Sequence, residues 1–223
     1  MTIESLYPFL YSDSSDLSAV LEQVRRSTVA KTEEIIELRR EVLGRDGERL
    51  LGCARDMADR FAAGGRLFAF GNGGSSSDAQ RLATLFLNPG PGAQPRPAFA
   101  LTSDSAIVTA LCNDIGVEVV FARQIAAFSR KQDIAVGLST SGNSANLVRA
   151  LEEASRRGLL TVGIAGYDGG KMAELEYLDY LFVAPSASVH RIQEAQTTMY
   201  HALWELTVTQ EAVILCASAF RVS

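Results

Sequence analysis

The sequence predicts an α/β fold: a three-layer αβα sandwich around a five-stranded parallel sheet, preceded by an N-terminal helical hairpin. Three observations predict it. Apolar residues before Ala63 recur only at helical spacing. From Arg66 onward, short apolar runs alternate with amphipathic segments, the pattern of parallel strands joined by crossover helices. Two of the apolar runs end in clusters of Gly, Ser and Asn, where open parallel sheets place their functional loops.

The elements follow in order. Asp16–Val42 reads as a helix, with Leu17, Val20, Leu21, Val24, Ile35, Leu38 and Val42 on its apolar positions. Gly44–Gly47 is read as a break, and Arg49–Ala63 as a second helix ended by Gly64-Gly65. Arg66–Phe70 is a strand leading into a glycine-rich turn, and Asp78–Leu87 a helix. Pro89–Pro97 holds four of the six prolines and is a loop. Ala98–Leu101 is a strand, and Ser105–Leu111 and Val117–Phe128 are helical. Asp133–Leu138 is a strand with a Ser/Thr/Gly turn after it, then Ala145–Arg157 a helix stopped by Gly158. Leu159–Ala165 and Tyr180–Val183 are strands on either side of a short helix at Lys171–Glu176. Val189–Glu211 is a long amphipathic helix.

The 223 residues suit one domain over 1–223, with a helical extension at 1–64, an α/β core at 65–211 and a tail at 212–223. Apolar residues at 47% and charged residues at 21% describe a globular chain with a full core. A net charge of −5 argues against a general nucleic-acid binder. Cys53, Cys112 and Cys216 are odd in number and set among apolar neighbours, which favours buried thiols in a reducing, cytoplasmic setting. Met1–Leu21 lacks the basic start of a signal peptide. No apolar run reaches the roughly 20 residues that span a bilayer; the nearest is Ala212–Phe220, read as a last helical turn packing on a partner or an ordered tail.

Two loops carry the chemistry. Gly71-Asn72-Gly73-Gly74-Ser75-Ser76-Ser77 joins a strand to a helix. Its glycines admit a ligand close to the backbone, and the following helix start favours an anion. A dinucleotide fingerprint requires glycine at the sixth position, where Ser76 stands. A Walker loop is not formed by Gly169-Gly170-Lys171, because Met172 follows and Ala165 occupies the first glycine position. Ser139-Thr140-Ser141-Gly142-Asn143-Ser144 is the second loop. One serine would suffice for a helix cap; four hydroxyls in six residues form a phosphate cup.

These loops, with Asn113-Asp114, Asp168-Gly169-Gly170-Lys171-Met172-Ala173 and Arg191-Ile192-Gln193-Glu194, stand in one order that resembles the sugar isomerase (SIS) domain family, and within it the phosphoheptose isomerase branch. The resemblance runs from about Arg49 to Leu206. It implies a sheet of flavodoxin-like strand order, a homo-oligomer, usually a tetramer, and no cofactor. It places phosphate on Ser139, Thr140, Ser141 and Ser144, and the sugar on Asn72, Gly73, Gly74, Ser75, Asn113 and Asp114. Gln193 then lines the site and His201 is an acid/base. On one helix these two lie within about 80° of each other, with Thr197 between. Taken without the resemblance, His201 also fits a partly buried structural histidine.

The chain departs from the family pattern at specific positions. The resemblance implies a histidine and a catalytic glutamate where Arg81 and Leu85 stand, an arginine at Pro89, and an aspartate at His190. Isomerisation of an aldose to a ketose needs a base that takes a proton from carbon. Leucine has none, and arginine stays protonated. Some relatives hold a metal through the same positions; Gln193 and His201 alone are too few ligands for zinc, so no metal is expected. Two functions follow: a phosphosugar isomerase with an altered acid/base set, or a non-catalytic phosphosugar sensor or assembly protein like the replication-initiator-associating SIS proteins.

Overall fold

The computed structural model describes residues 17–219, with side chains over 18–210. The readings of Met1–Asp16 and of the packing of Ala212–Phe220 lie outside the described residues and side chains. The chain divides into two compact units after Glu37. The described part of the first is helix with a charged face, where Glu22 pairs with Arg25 at 2.9 Å and Arg26 at 2.8 Å. One helix begins in the first unit and ends in the second.

That helix, α1 (Leu17–Ala62), is continuous. The expected hairpin is therefore a single 46-residue helix, and Gly44–Gly47 does not break it. Val42, Asp46, Leu50, Cys53, Met57 and Phe61 are all buried at spacings of three and four, so the inner stripe crosses both glycines without a phase change. One glycine inside a helix costs about 1 kcal/mol relative to alanine, and packing of the stripe outweighs that. Asp46 is the polar member of the stripe. It is 1% exposed and pairs with Arg45 at 2.6 Å and Arg49 at 3.1 Å, as a buried charge requires.

The remaining elements are β1 (Leu67–Gly71), α2 (Gly74–Leu87), β2 (Ala98–Ala100), α3 (Ser105–Ile115), α4 (Val120–Phe128), β3 (Ile134–Leu138), α5 (Ala145–Arg156), β4 (Leu160–Gly166), β5 (Tyr180–Ala184) and α6 (Val189–Ala219). Short 3-10 turns fill Val117–Val119 and Gly170–Glu174, the latter where a short helix was expected. The five strands are parallel, in the order β2-β1-β3-β4-β5. β1 and β3 pair from Leu67↔Ile134 to Gly71↔Leu138, so their carboxyl ends are level. This order puts the topological switch point between them.

β1, β3 and β4 are buried at every residue, which explains their predominantly apolar sequences; Thr161 in β4 is the polar member. Phe68, Phe70, Phe121, Ile125, Leu147 and Leu151 form the centre of one face. At the opposite end of the sheet from the loops, fully buried Asp133 accepts from the backbone N–H of Arg66 and Arg130 and pairs with the Arg66 guanidinium at 2.8 Å.

Three boundaries move by four residues or more, and the first is α3, which runs to Ile115 rather than ending at Leu111. α2 starts at Gly74 rather than Asp78, because the Ser75 and Ser76 N–H groups already bond to Asn72 and Gly73 carbonyls at 3.1 and 3.0 Å. α6 continues past Glu211 to Ala219, so the tail at 212–223 is helical that far; no Gly or Pro interrupts Ala212–Ala219.

Candidate functional site

β1 ends in Gly71 and hands over to α2 through Asn72 and Gly73. β3 ends in Leu138 and hands over to α5 through Ser139–Ser144. The two loops are neighbours because the strands are. Neither following helix has a side-chain cap: Gly73 has no side chain to offer, and Ser144 makes no capping bond. A helix start without a capping oxygen presents N–H groups and a partial positive charge to an external anion. Ser144 therefore does not serve as a helix cap.

The serine loop closes on itself. The Ser139 hydroxyl accepts from the Gly142 N–H at 3.1 Å and lies 3.4 Å from the Ser144 hydroxyl. The Ser141 hydroxyl accepts from the Asn143 N–H at 3.2 Å. Ser139 is buried; Thr140, Ser141 and Ser144 are half-buried. Outside the loop, the Asn143 amide oxygen accepts from the Lys171 N–H, and the Gly142 carbonyl from the Met172 N–H, both at 3.0 Å. Gly142 has φ +65°, and a Cβ there would lie 1.9 Å from the Gly169 carbonyl oxygen. Below the loop, the fully buried Gln196 donates to the carbonyls of Ser139 at 3.1 Å and Ile164 at 3.2 Å.

The glycine loop is tied to this second loop. The side-chain amides of Asn72 and Asn146 exchange two hydrogen bonds, each 2.9 Å. Ser75 is buried, while Asn72, Gly73 and Gly74 are exposed. α6 approaches from the side: a Cβ on Gly74 would lie 2.1 Å from the Gln193 amide nitrogen. Four residues on, Asp78 accepts from the Tyr200 hydroxyl at 3.2 Å. Burial holds the Asp78 carboxyl above its usual range, against the lowering effect of bonds from Tyr200 and Thr197. Burial likewise raises the Tyr200 phenol; the negative charge of Asp78 adds to this, and the positive charge of Arg81 opposes it.

Of the predicted residues, the structure brings Asn72, Gly73, Gly74, Ser75, Ser139, Thr140, Ser141, Ser144 and Gln193 to the ends of β1 and β3. His201 lies two turns beyond Gln193 on α6, half-buried, its ring 5.2 Å from Tyr200 and edge-on to Trp204 at 6.3 Å. Arg81 is exposed and Leu85 half-buried on α2. Asn113 and Asp114 are exposed in the last turn of α3, bonded to each other at 3.0 Å rather than to either loop. Among the described residues, no three His, Cys, Asp or Glu side chains are grouped to hold a metal ion, and no helix is long and apolar enough to cross a membrane. Sequence reasoning missed Asn146, Gln196 and Asp78. Asp78 carried a signal, being the sole acid in α2; Asn146 and Gln196 are single amides inside helices and carried none.

The SIS domain family matches residues 32–166. The phosphoheptose isomerase of Nitratidesulfovibrio vulgaris is 40% identical over 187 residues, which cover 83% of this chain and 89% of that one. The solved phosphoheptose isomerase of Neisseria gonorrhoeae is 34% identical, with a TM-score of 0.74 over 82% of this chain and 98% of its own. That of Francisella tularensis is 28% identical, with a TM-score of 0.77 over 85% and 98%.

Proposed function

The chain belongs to the SIS domain family, in its phosphoheptose isomerase branch, and from that premise we propose that it binds a ketose or heptose phosphate across the ends of β1 and β3. The observation that carries this is the pair of adjoining loops followed by helices without side-chain caps, one of them lined by four hydroxyls. In this reading the phosphate sits on Ser139, Thr140, Ser141 and Ser144, held by hydroxyls and helix N–H groups without a charged side chain. The sugar lies over Asn72, Gly73, Gly74 and Ser75, with Asn113 and Asp114 reaching its hydroxyls once it is bound.

The proton-transfer set is altered. Arg81 and Leu85 occupy the positions read as the family's histidine and catalytic glutamate. His201, with Gln193 beside it, is the remaining acid/base candidate. Leucine takes no proton from carbon, so isomerisation of sedoheptulose 7-phosphate runs far below ordinary enzymatic rates of about 1–10³ s⁻¹. A metal does not fit the residues present, since Gln193 and His201 are two donors where zinc takes three or four from protein. Leu85 is also the observation that favours the second reading, a phosphosugar sensor or assembly module. We further read the chain as a cytoplasmic homo-oligomer, a tetramer by resemblance. An apolar groove of about 350 Å³ between α1 and α6, lined by Val42, Leu43, Leu50, Ala195, Met199 and Ala202, supports association.

Sedoheptulose 7-phosphate followed by calorimetry and by NMR tests both halves. The expected outcome is saturable binding with little isomer formed, and more isomer from the Arg81→His/Leu85→Glu double variant. Turnover at ordinary rates that vanishes in His201→Ala would overturn the altered-catalysis half.

A further inference from the structure

Asn146 belongs to none of the loops that the sequence singles out, yet its environment is unusual. It is 5% exposed, in the first turn of α5, with buried Leu147 and Ala150 beside it. An apolar side chain would serve the core at such a position, and a buried amide is tolerated only where its bonds are met. They are met by Asn72, 74 positions away, through two reciprocal bonds of 2.9 Å.

Asn72 stands between Gly71 and Gly73-Gly74, in a loop with little else to hold a side chain in place. A free asparagine there would lose rotamer freedom whenever it gripped a ligand. Paired with Asn146 it is already fixed. In such a pair each amide keeps one N–H and one lone pair unused, and Asn72 is the exposed member. α5, which holds Asn146, is also the helix whose start adjoins the serine loop. The clasp therefore ties the group that meets the sugar to the element that meets the phosphate.

We infer that Asn146 is a positioning residue: it pins Asn72 to the helix bearing the phosphate cup, so that phosphate and sugar are recognised together at a fixed separation. The inference rests on the phosphosugar reading above and deepens it. It makes a demand that a purely structural asparagine does not. Loss of the clasp must weaken the sugar phosphate and spare the bare anion.

The test measures sedoheptulose 7-phosphate and inorganic phosphate binding to the full chain, to Asn146→Ala, to Asn72→Ala and to the double variant. Releasing the Asn72 side chain to several rotamers predicts a loss of up to about ten-fold for the sugar phosphate. Inorganic phosphate affinity stays unchanged, and the double variant is no weaker than Asn72→Ala alone. Asn72 is exposed, so its variant folds even where Asn146→Ala does not. Equal loss for both ligands, no loss for either, or additive losses in the double variant each overturn the inference. Failure of the unsubstituted chain to bind sedoheptulose 7-phosphate at all overturns the phosphosugar reading itself, and this role with it.

Discussion

Gly142 is where the serine loop turns, and its backbone leaves no room for another residue. With φ +65° and a neighbouring carbonyl oxygen 1.9 Å from any Cβ, Gly142→Ala must move either the loop or the Gly169 turn. The expected cost is on the order of 1–3 kcal/mol of stability, together with loss of phosphate binding. Thermal unfolding with and without phosphate reads both, and an unchanged midpoint would contradict the assigned geometry. Asp78 makes a different prediction. Its folded-state pKa is raised by burial, so the folded chain holds the proton more tightly than the unfolded chain does. The stability tied to that proton is present at low pH. It is lost as pH rises from the usual carboxylate value through the raised one. Asp78→Asn keeps an acceptor for Tyr200 and has no charge to bury. Its melting temperature relative to the parent should rise across that pH window and level off above it; a flat difference would remove Asp78 from the account.

At the scale of elements, α1 shows why a correct residue pattern was divided wrongly. Two glycines within four residues look like a turn. The buried stripe through Val42, Asp46, Leu50 and Cys53 keeps its phase across them, but a charged residue hides one of its members. Because the helix is continuous, Gly44→Ala should stabilise it by about 0.5–1 kcal/mol, since nothing lies within 4 Å of the added methyl. Destabilisation on heating would argue for the break. The strands were legible because β1, β3 and β4 are buried throughout and bounded by turn residues. The start of α2 was not, because its first turn is Gly-Ser-Ser-Ser and has no side-chain cap to mark it. The hydroxyl cluster of the site was legible as composition. The Asn72–Asn146 clasp was not: it joins residues far apart in the chain, and only the pairing of β1 with β3 brings them together.

At the scale of the whole molecule, the glycine and serine loops lie at one end of the sheet, at the switch point. The Arg66–Asp133 ion pair lies at the other end. The apolar groove between α1 and α6 belongs to neither and leaves Leu43 66% exposed. A second copy covering it predicts a solution mass that is a multiple of 24.0 kDa, four-fold if the tetramer holds, by light scattering after size exclusion; a monomeric mass would rule out the homo-oligomer. In the proposed function the phosphate sits on the serine loop. Calorimetric titration of sedoheptulose 7-phosphate into the full chain and into a Ser141→Ala/Ser144→Ala variant tests it most directly. The expected result is saturable binding to the first and loss of about ten-fold or more in the second, as two hydroxyl bonds to a charged group are removed. Equal binding by both proteins, or none by the first, would contradict it.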